Sequence, residues 1–212
     1  MEGMILYDCA TAPSPRRARM FIAEKGLTIE TRQVDLKSGE HFGEAFRAIN
    51  PRCTVPALDV GNGDVLTDNA SIAAYLEAIR PDPPLLGRDP IEKARIAEWN
   101  ARSESEGLLA VAEALRNSAP GLKGRALTGP DSYEQIPQLA ARGAARVSAF
   151  FKVLDERLSD SAYLAGEAFS VADITAFVFV EFAERARFAP DGDFPALAEW
   201  RDALRARPSA QQ

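Results

Sequence analysis

Apolar residues along this chain change their period once, close to residue 81. Before that point, strand-like and helix-like stretches alternate. Met4 to Cys9 is an apolar run of strand length, with Ile5, Leu6 and Tyr7 inside it. Ser14-Pro15 predicts a helix start, serine being a good N-cap and proline a good first helical residue. Ala18, Phe21 and Ile22 then share one face, and Gly26 marks the stop. A second strand is expected from roughly Ile29 to Val34. Phe42, Ala45, Phe46 and Ile49 outline a short amphipathic helix that ends at Asn50-Pro51. Ala57–Val60 and Val65–Leu66 flank Gly61-Asn62-Gly63 as a hairpin, and a helix follows from about Asn69 to Ile79. The order β-α-β-α-β-β-α predicts a mixed sheet with helices packed on it.

Pro81-Asp82-Pro83-Pro84 reads as a stiff linker, because proline fixes φ and resists helix. Beyond it every periodic stretch is helical. Pro90 opens a long helix through Ile91, Ala94, Ile96 and Trp99 that is expected to reach Asn117 and to break at Ala119-Pro120-Gly121. Residues 126–132 read as loop. Another helix runs to about Leu158 through Val147, Phe150, Phe151 and Leu154. Ser170-Val171-Ala172-Asp173 is a capping box with Asp in place of the usual Glu. Ile174, Phe177, Val178 and Phe179 behind it make a helix apolar on most sides, hence a core helix, and a final helix follows Pro195. The division is therefore an α/β domain over 1–80, a proline-rich linker over 81–89 and an all-α domain over 90–212.

Composition narrows the partners. A hydrophobic content of 46% supports a sizeable core, and a net charge of −6 argues against nucleic acid or an anionic membrane as the main partner. The longest apolar stretch, Ile174 to Val180, is too short to span a bilayer. The acidic start Met1-Glu2-Gly3-Met4 has no signal-peptide character. Two cysteines, Cys9 and Cys53, make no disulfide framework, so a cytoplasmic protein with reduced thiols is the expectation.

The chemistry concentrates in two stretches. In Thr54-Val55-Pro56-Ala57-Leu58 a proline enters a strand, a place suited to a cis peptide. It leaves the N–H and C=O of Val55 unpaired at a sheet edge, where they can take up an extended peptide as an added strand. In Leu66-Thr67-Asp68-Asn69-Ala70-Ser71-Ile72 a helix begins with an acid and an amide, offering a carboxylate to an ammonium and free N–H groups to an anion. A small zwitterionic peptide needs these parts together.

These stretches, with Ala48-Ile49-Asn50-Pro51-Arg52 before the proline, Ser170-Val171-Ala172-Asp173 late in the chain and Phe194-Pro195-Ala196-Leu197-Ala198-Glu199-Trp200 near its end, resemble the cytosolic glutathione transferases. The likeness is to the branch whose first helix opens Ser-Pro-Arg-Arg, and it runs over nearly the whole chain. It implies a thioredoxin-like N-terminal domain, an all-helical C-terminal domain and a homodimer. It also implies glutathione as co-substrate without metal, and an apolar electrophile or peroxide in the cleft facing the helical domain. Glutathione supplies the sulfur and the protein no covalent nucleophile. Val55 and Pro56 would dock the peptide. Asp68 would take its ammonium, and Asn69 with the helix start its carboxylate. Asp-Asn stands here where the family usually has Glu-Ser. His41, the single histidine, lies where relatives often place a donor for the glycyl carboxylate, and Arg52 is a further candidate for it.

The thiol activator is the open point. Relatives carry a Tyr, Ser or Cys in the loop before the first helix; here the loop reads Cys9-Ala10-Thr11-Ala12-Pro13-Ser14, and the usual positions fall on Ala12 or Pro13. Ser14 is the adjacent donor and Thr11 a nearby one. Against this stands Ser14 as a mere cap, since a capping oxygen accepts whereas a thiolate needs a donor. A third arrangement is a water held by Arg116 and Asn117 from the helical domain, two residues that also read as a plain helix end. Cys9 precedes Ser14 by five residues, so no Cys-x-x-Ser redox pattern exists, and both cysteines read as small hydrophobes. Two other functions stay open: a glutathione-dependent dehalogenase, isomerase or ether-cleaving enzyme, and a non-catalytic binding or regulatory protein on the same fold.

Overall fold

The computed structural model describes residues 3–211. β1 (Ile5–Asp8), α1 (Pro13–Glu24), β2 (Glu30–Gln33), a 3-10 turn (Glu40–Phe42), α2 (Glu44–Ile49), β3 (Ala57–Asp59), β4 (Val65–Leu66) and α3 (Asn69–Ile79) come first. The sheet order is β2-β1-β3-β4, with β1 parallel to β2 and antiparallel to β3, and β3 antiparallel to β4. This is the mixed sheet of a thioredoxin-like domain. Leu6, Leu58, Met20, Phe21, Ile72 and Leu76 are fully buried, so β1, β3, α1 and α3 supply its core. β2 is exposed along its length and carries charge, as an edge strand does. A second apolar cluster joins Tyr7, Val34, Phe46, Val55 and Ala57, with the Tyr7 and Phe46 rings edge to face at 6.1 Å.

α4 (Pro90–Arg102), α5 (Leu109–Ser118), α6 (Pro137–Ser159), α7 (Val171–Arg185) and α8 (Pro195–Arg205) follow, all helical as expected. α7 is buried nearly all round, and Phe179 packs against Phe150 at 5.4 Å and Phe151 at 5.3 Å. One expectation is corrected. The helix from Pro90 does not run as a single α-helix to Asn117; a wider π stretch, Ser103–Leu108, separates α4 from α5. Gly107 lies in that stretch because the Phe179 ring of α7 and the Phe150 ring of α6 occupy the space of a side chain: a Cβ there would stand 2.8 Å from Phe179 Cγ. Gly143 serves the α5–α6 crossing in the same way, a Cβ meeting the Ala114 N at 2.6 Å.

The chain divides into two compact units. One takes the described residues up to Pro83 together with Thr128–Asp131, and the other takes Pro84–Leu127 and Ser132–Gln211. Residues 128–131 thus join the first unit, although the sequence places them within the helical domain. The proline-rich segment is anchored rather than free. The Lys25 ammonium, 2% exposed, pairs with Glu77 at 2.5 Å and donates to the carbonyls of Pro81 and Pro83. In the second unit the Leu85 carbonyl accepts from the Val171 N–H at 3.1 Å.

Candidate functional site

The proline loop is built by Asn50. Fully buried at the end of α2, it donates through Nδ2 to the Thr54 carbonyl at 2.7 Å and the Thr54 hydroxyl at 3.2 Å. Its Oδ1 accepts from the Arg52 N–H at 3.0 Å, and its carbonyl accepts from the Cys53 N–H at 2.9 Å. Cys53 sits at φ 53, in the left-handed region that side chains seldom adopt. The loop so closed delivers a cis Val55–Pro56 bond. Among the described residues the Val55 N–H and C=O make no hydrogen bond, although the residue is buried. Buried main-chain groups are paired almost without exception, so such a pair is able to take up an extended peptide. It stands just ahead of β3, a central strand between β1 and β4, and not at the sheet edge that the sequence suggests. Neither Asn50 nor Thr54 stood among the residues read as the site. An Asn-Pro pair closing a helix is the signal that would have found them.

Asp68 is the N-cap of α3: Oδ1 accepts from the Ala70 N–H at 2.8 Å. Its other carboxylate oxygen has no partner among the described residues, and the residue is exposed. Capping and binding a cation are therefore compatible here, one oxygen each. Asn69 turns elsewhere. Its Nδ2 donates to Ser14 Oγ at 2.9 Å, while its buried Oδ1 has no partner.

Ser14 is not the cap of α1, which corrects the expected start of that helix. Ala12 is the N-cap, without any side-chain cap bond, and Ser14 is the second helical residue after Pro13. Proline at the first position begins the helix earlier than serine would. Pro13 and Pro15 have no N–H, and the Ala12 N–H donates to the Cys9 carbonyl at 2.9 Å. Among residues 12–15 this leaves the Ser14 N–H as the one unbonded main-chain donor. The Ser14 hydroxyl accepts from Asn69, so its own proton is left to donate.

The remaining candidates are scattered. His41 lies in the 3-10 turn with its ring against Phe42, centroids 3.8 Å apart. Arg52 is exposed. Arg116, near the end of α5, donates through Nη2 to the Leu127 carbonyl at 3.0 Å, and its buried Nε has no partner. Burial, then the charge of Arg125, lowers its pKa. Asn117 is placed otherwise than as a water-holding residue. Its Nδ2 donates to the Glu113 carbonyl and its Oδ1 accepts from the Ile136 N–H, both at 2.9 Å, so its amide is committed to tying α5 to the start of α6. Cys9 packs against the cluster that contains Val55, and Thr11 Oγ1 stands 3.5 Å from its sulfur. Sequence reading also passed over Asp8, Arg19 and Gln33, which hold the turn between β1 and α1.

A four-stranded mixed sheet with a cis proline ahead of its third strand, followed by an all-helical unit, defines a two-unit class of protein with a thioredoxin-like first half. The glutathione S-transferase N-terminal domain matches residues 11–79, and the glutathione S-transferase C-terminal domain matches residues 102–208. Glutathione S-transferase 2 of Saccharomyces cerevisiae is 31% identical over 214 residues, which span 100% of this chain and 89% of that protein. A glutathione S-transferase domain-containing protein of Marinobacter aquaeolei VT8 superposes with a TM-score of 0.88 at 36% identity, covering 97% of this chain and 98% of that one. Maleylacetoacetate isomerase of Pseudomonas aeruginosa is 40% identical over 94 residues, 43% of this chain and 44% of that protein. The chain belongs to the glutathione S-transferase family. No group of three or more His, Cys, Asp or Glu side chains able to hold a metal occurs among the described residues, and no helix among them is long and apolar enough to cross a membrane.

Proposed function

We propose that the protein is a glutathione-dependent enzyme in which the first unit binds glutathione and raises the reactivity of its sulfur. The unpaired Val55 N–H and C=O carry this reading, because a cysteinyl residue added antiparallel there satisfies both. The γ-glutamyl ammonium is assigned to the open oxygen of Asp68 and its carboxylate to Asn69 and the α3 N-terminus. His41 and Arg52 are assigned to the glycyl carboxylate. Ser14 is assigned as the activator, giving the thiolate its main-chain N–H and its hydroxyl proton. A free thiol titrates near ~8.5, and lowering it by about two units needs about 2.7 kcal/mol of preference for the anion. Two hydrogen bonds to a charged acceptor, at about 1.5–3 kcal/mol each, supply that order of energy. Arg116 is assigned to the second substrate, a small apolar electrophile or peroxide. Within the family we place the chain in the branch whose first helix opens Ser-Pro-Arg-Arg, as a cytoplasmic homodimer.

The test is retention on immobilised glutathione followed by turnover with a generic aromatic electrophile. Retention with turnover supports the proposal. Retention without turnover favours the binding protein, and failure to bind removes glutathione from the account. The similarity to the isomerase favours a second reading, a glutathione-dependent isomerase or a related dehalogenase or ether-cleaving enzyme acting through the same thiolate. Thiol counting separates conjugation from isomerisation, since conjugation consumes one thiol per turnover and isomerisation returns it; ether cleavage also consumes one and is told apart by the alcohol or phenol it releases.

A further inference from the structure

The peptide group of Ala10 is gripped from both sides by side chains remote in sequence. Its N–H donates to Gln33 Oε1 at 2.9 Å, and its carbonyl accepts from Arg19 Nη2 at 3.2 Å. Both side chains are in turn held by Asp8, which is 1% exposed. Arg19 Nη1 meets Asp8 Oδ1 at 2.5 Å, and Gln33 Nε2 donates to Asp8 Oδ2 at 2.7 Å. The orientation of the Gln33 amide follows from chemistry alone, since a carboxylate requires a donor and an N–H requires an acceptor. Asp8 ends β1, Gln33 ends β2 and Arg19 lies in the second turn of α1. Three elements therefore converge on one peptide group, in the turn that sets where α1 begins and where Ser14 stands.

A burial this deep for a carboxylate is costly unless it is paired and fully hydrogen-bonded. The arrangement is also more than a fold needs here, because strand pairing already joins β1 to β2 through Asp8 and Gln33. We infer that Asp8, Arg19 and Gln33 form a clamp that positions the turn over residues 9–14 for thiol activation, an inference that rests on the glutathione reading above. Arg19 and Gln33 are positioning residues, acting through Ala10 on Ser14. The Arg19 charge also offsets that of Asp8, which would otherwise disfavour a thiolate near the turn.

Gln33 is exposed, so Gln33→Leu removes both of its bonds without opening a cavity, and Arg19→Lys keeps the charge while losing the fork that reaches Asp8 and Ala10 together. Both variants and the wild type are compared for glutathione affinity, kcat at saturating glutathione, the pH profile of the bound thiolate's ultraviolet absorbance, and Tm. The expected result in both variants is affinity within about threefold of the wild type, kcat lower by about tenfold or more, and a thiol profile moved to higher pH by about half a unit or more. Unchanged kcat and profile would overturn the inference. So would a parallel loss of affinity, kcat and Tm with the profile in place, which marks a merely structural role. The clamp has a readout that needs no glutathione, the alkylation rate of Cys9 at the start of the turn. It should rise several-fold in Gln33→Leu, and an equal rate sinks the clamp whatever the wild type binds. A wild type that fails to bind glutathione while Gln33→Leu still exposes Cys9 would sink the proposed function and its thiol-activating consequence, and leave the clamp as geometry only.

Discussion

At the scale of single residues, the two oxygens of Asp68 divide into a cap and an open acid, and this makes the residue testable in two parts. Asp68→Asn keeps a good N-cap and removes the charge, so it should leave Tm nearly unchanged and weaken glutathione binding by about tenfold or more, as calorimetric titration would show. Asp68→Ala should add a loss of about 1 kcal/mol in stability. Wild-type affinity in both variants would reduce Asp68 to a cap. Ser14→Ala should shift the bound thiol's titration to higher pH without loss of stability, because Ser14 caps nothing. Asn69→Ala should produce a smaller shift of the same sign, since the Ser14 hydroxyl survives it and loses only the amide that orients it. Pro56 and Asp68 were legible in the sequence because their chemistry is local: a proline entering a strand and an acid at a helix start mean the same thing wherever they occur. The role of Ser14 was not legible. Whether it caps depends on which proline opens the helix, and its hydroxyl is engaged by a residue 55 positions away. Asn117 misled for the same reason, a polar residue at a helix end whose amide is consumed by a segment 19 residues later.

At the scale of elements, the capping box and the π stretch decide how the helical unit holds together. Asp173 accepts from the Ser170 N–H, the Ser170 hydroxyl and the Leu164 N–H, at 2.9–3.0 Å, so it closes the box and fastens the preceding loop as well. Burial raises its carboxyl from an ordinary 3.8 to about 6, against the opposing effect of these hydrogen bonds. The folded state thus binds that proton more tightly than the unfolded state. The stability this group contributes is complete below its ordinary value and is lost as pH rises through about 6. Urea midpoints measured across that window should fall for the wild type. The Asp173→Ala series should be less stable by about 1–3 kcal/mol at the acid end and lack that component of the slope, so the two series converge as pH rises. Gly143→Ala should cost about 1–3 kcal/mol through the α5–α6 crossing, and an unchanged Tm would show that the helices can separate at little cost. Serine followed by an acid three residues on is a local pattern, so the capping box was readable in advance. The π stretch was not, because Ser-Glu-Ser-Glu-Gly-Leu weakens a helix without saying how it widens, and it is the rings of Phe179 and Phe150, from other helices, that require glycine at 107.

At the scale of the whole molecule, the assigned chemistry needs a thiol and no metal, so chelators should leave turnover unchanged; a loss restored by a divalent ion would count against the thiolate mechanism. Periodicity alone determined the class of fold, a strand-helix alternation followed by helices. Alternation and three-and-four spacing report which face of each element is buried, and that is decided by the chain locally. The cis proline and the helix start at Asp68 were readable in the same way, and the proposed peptide site rests on them. Tertiary structure decided the rest. It showed that residues 128–131 belong with the first unit, that the proline segment is pinned by a buried lysine, and that Asp8, Arg19 and Gln33 meet on one peptide group. These are contacts between residues far apart along the chain. Their existence depends on the register of β1 against β2 and the placement of α1, and no local pattern of apolar and polar positions encodes either.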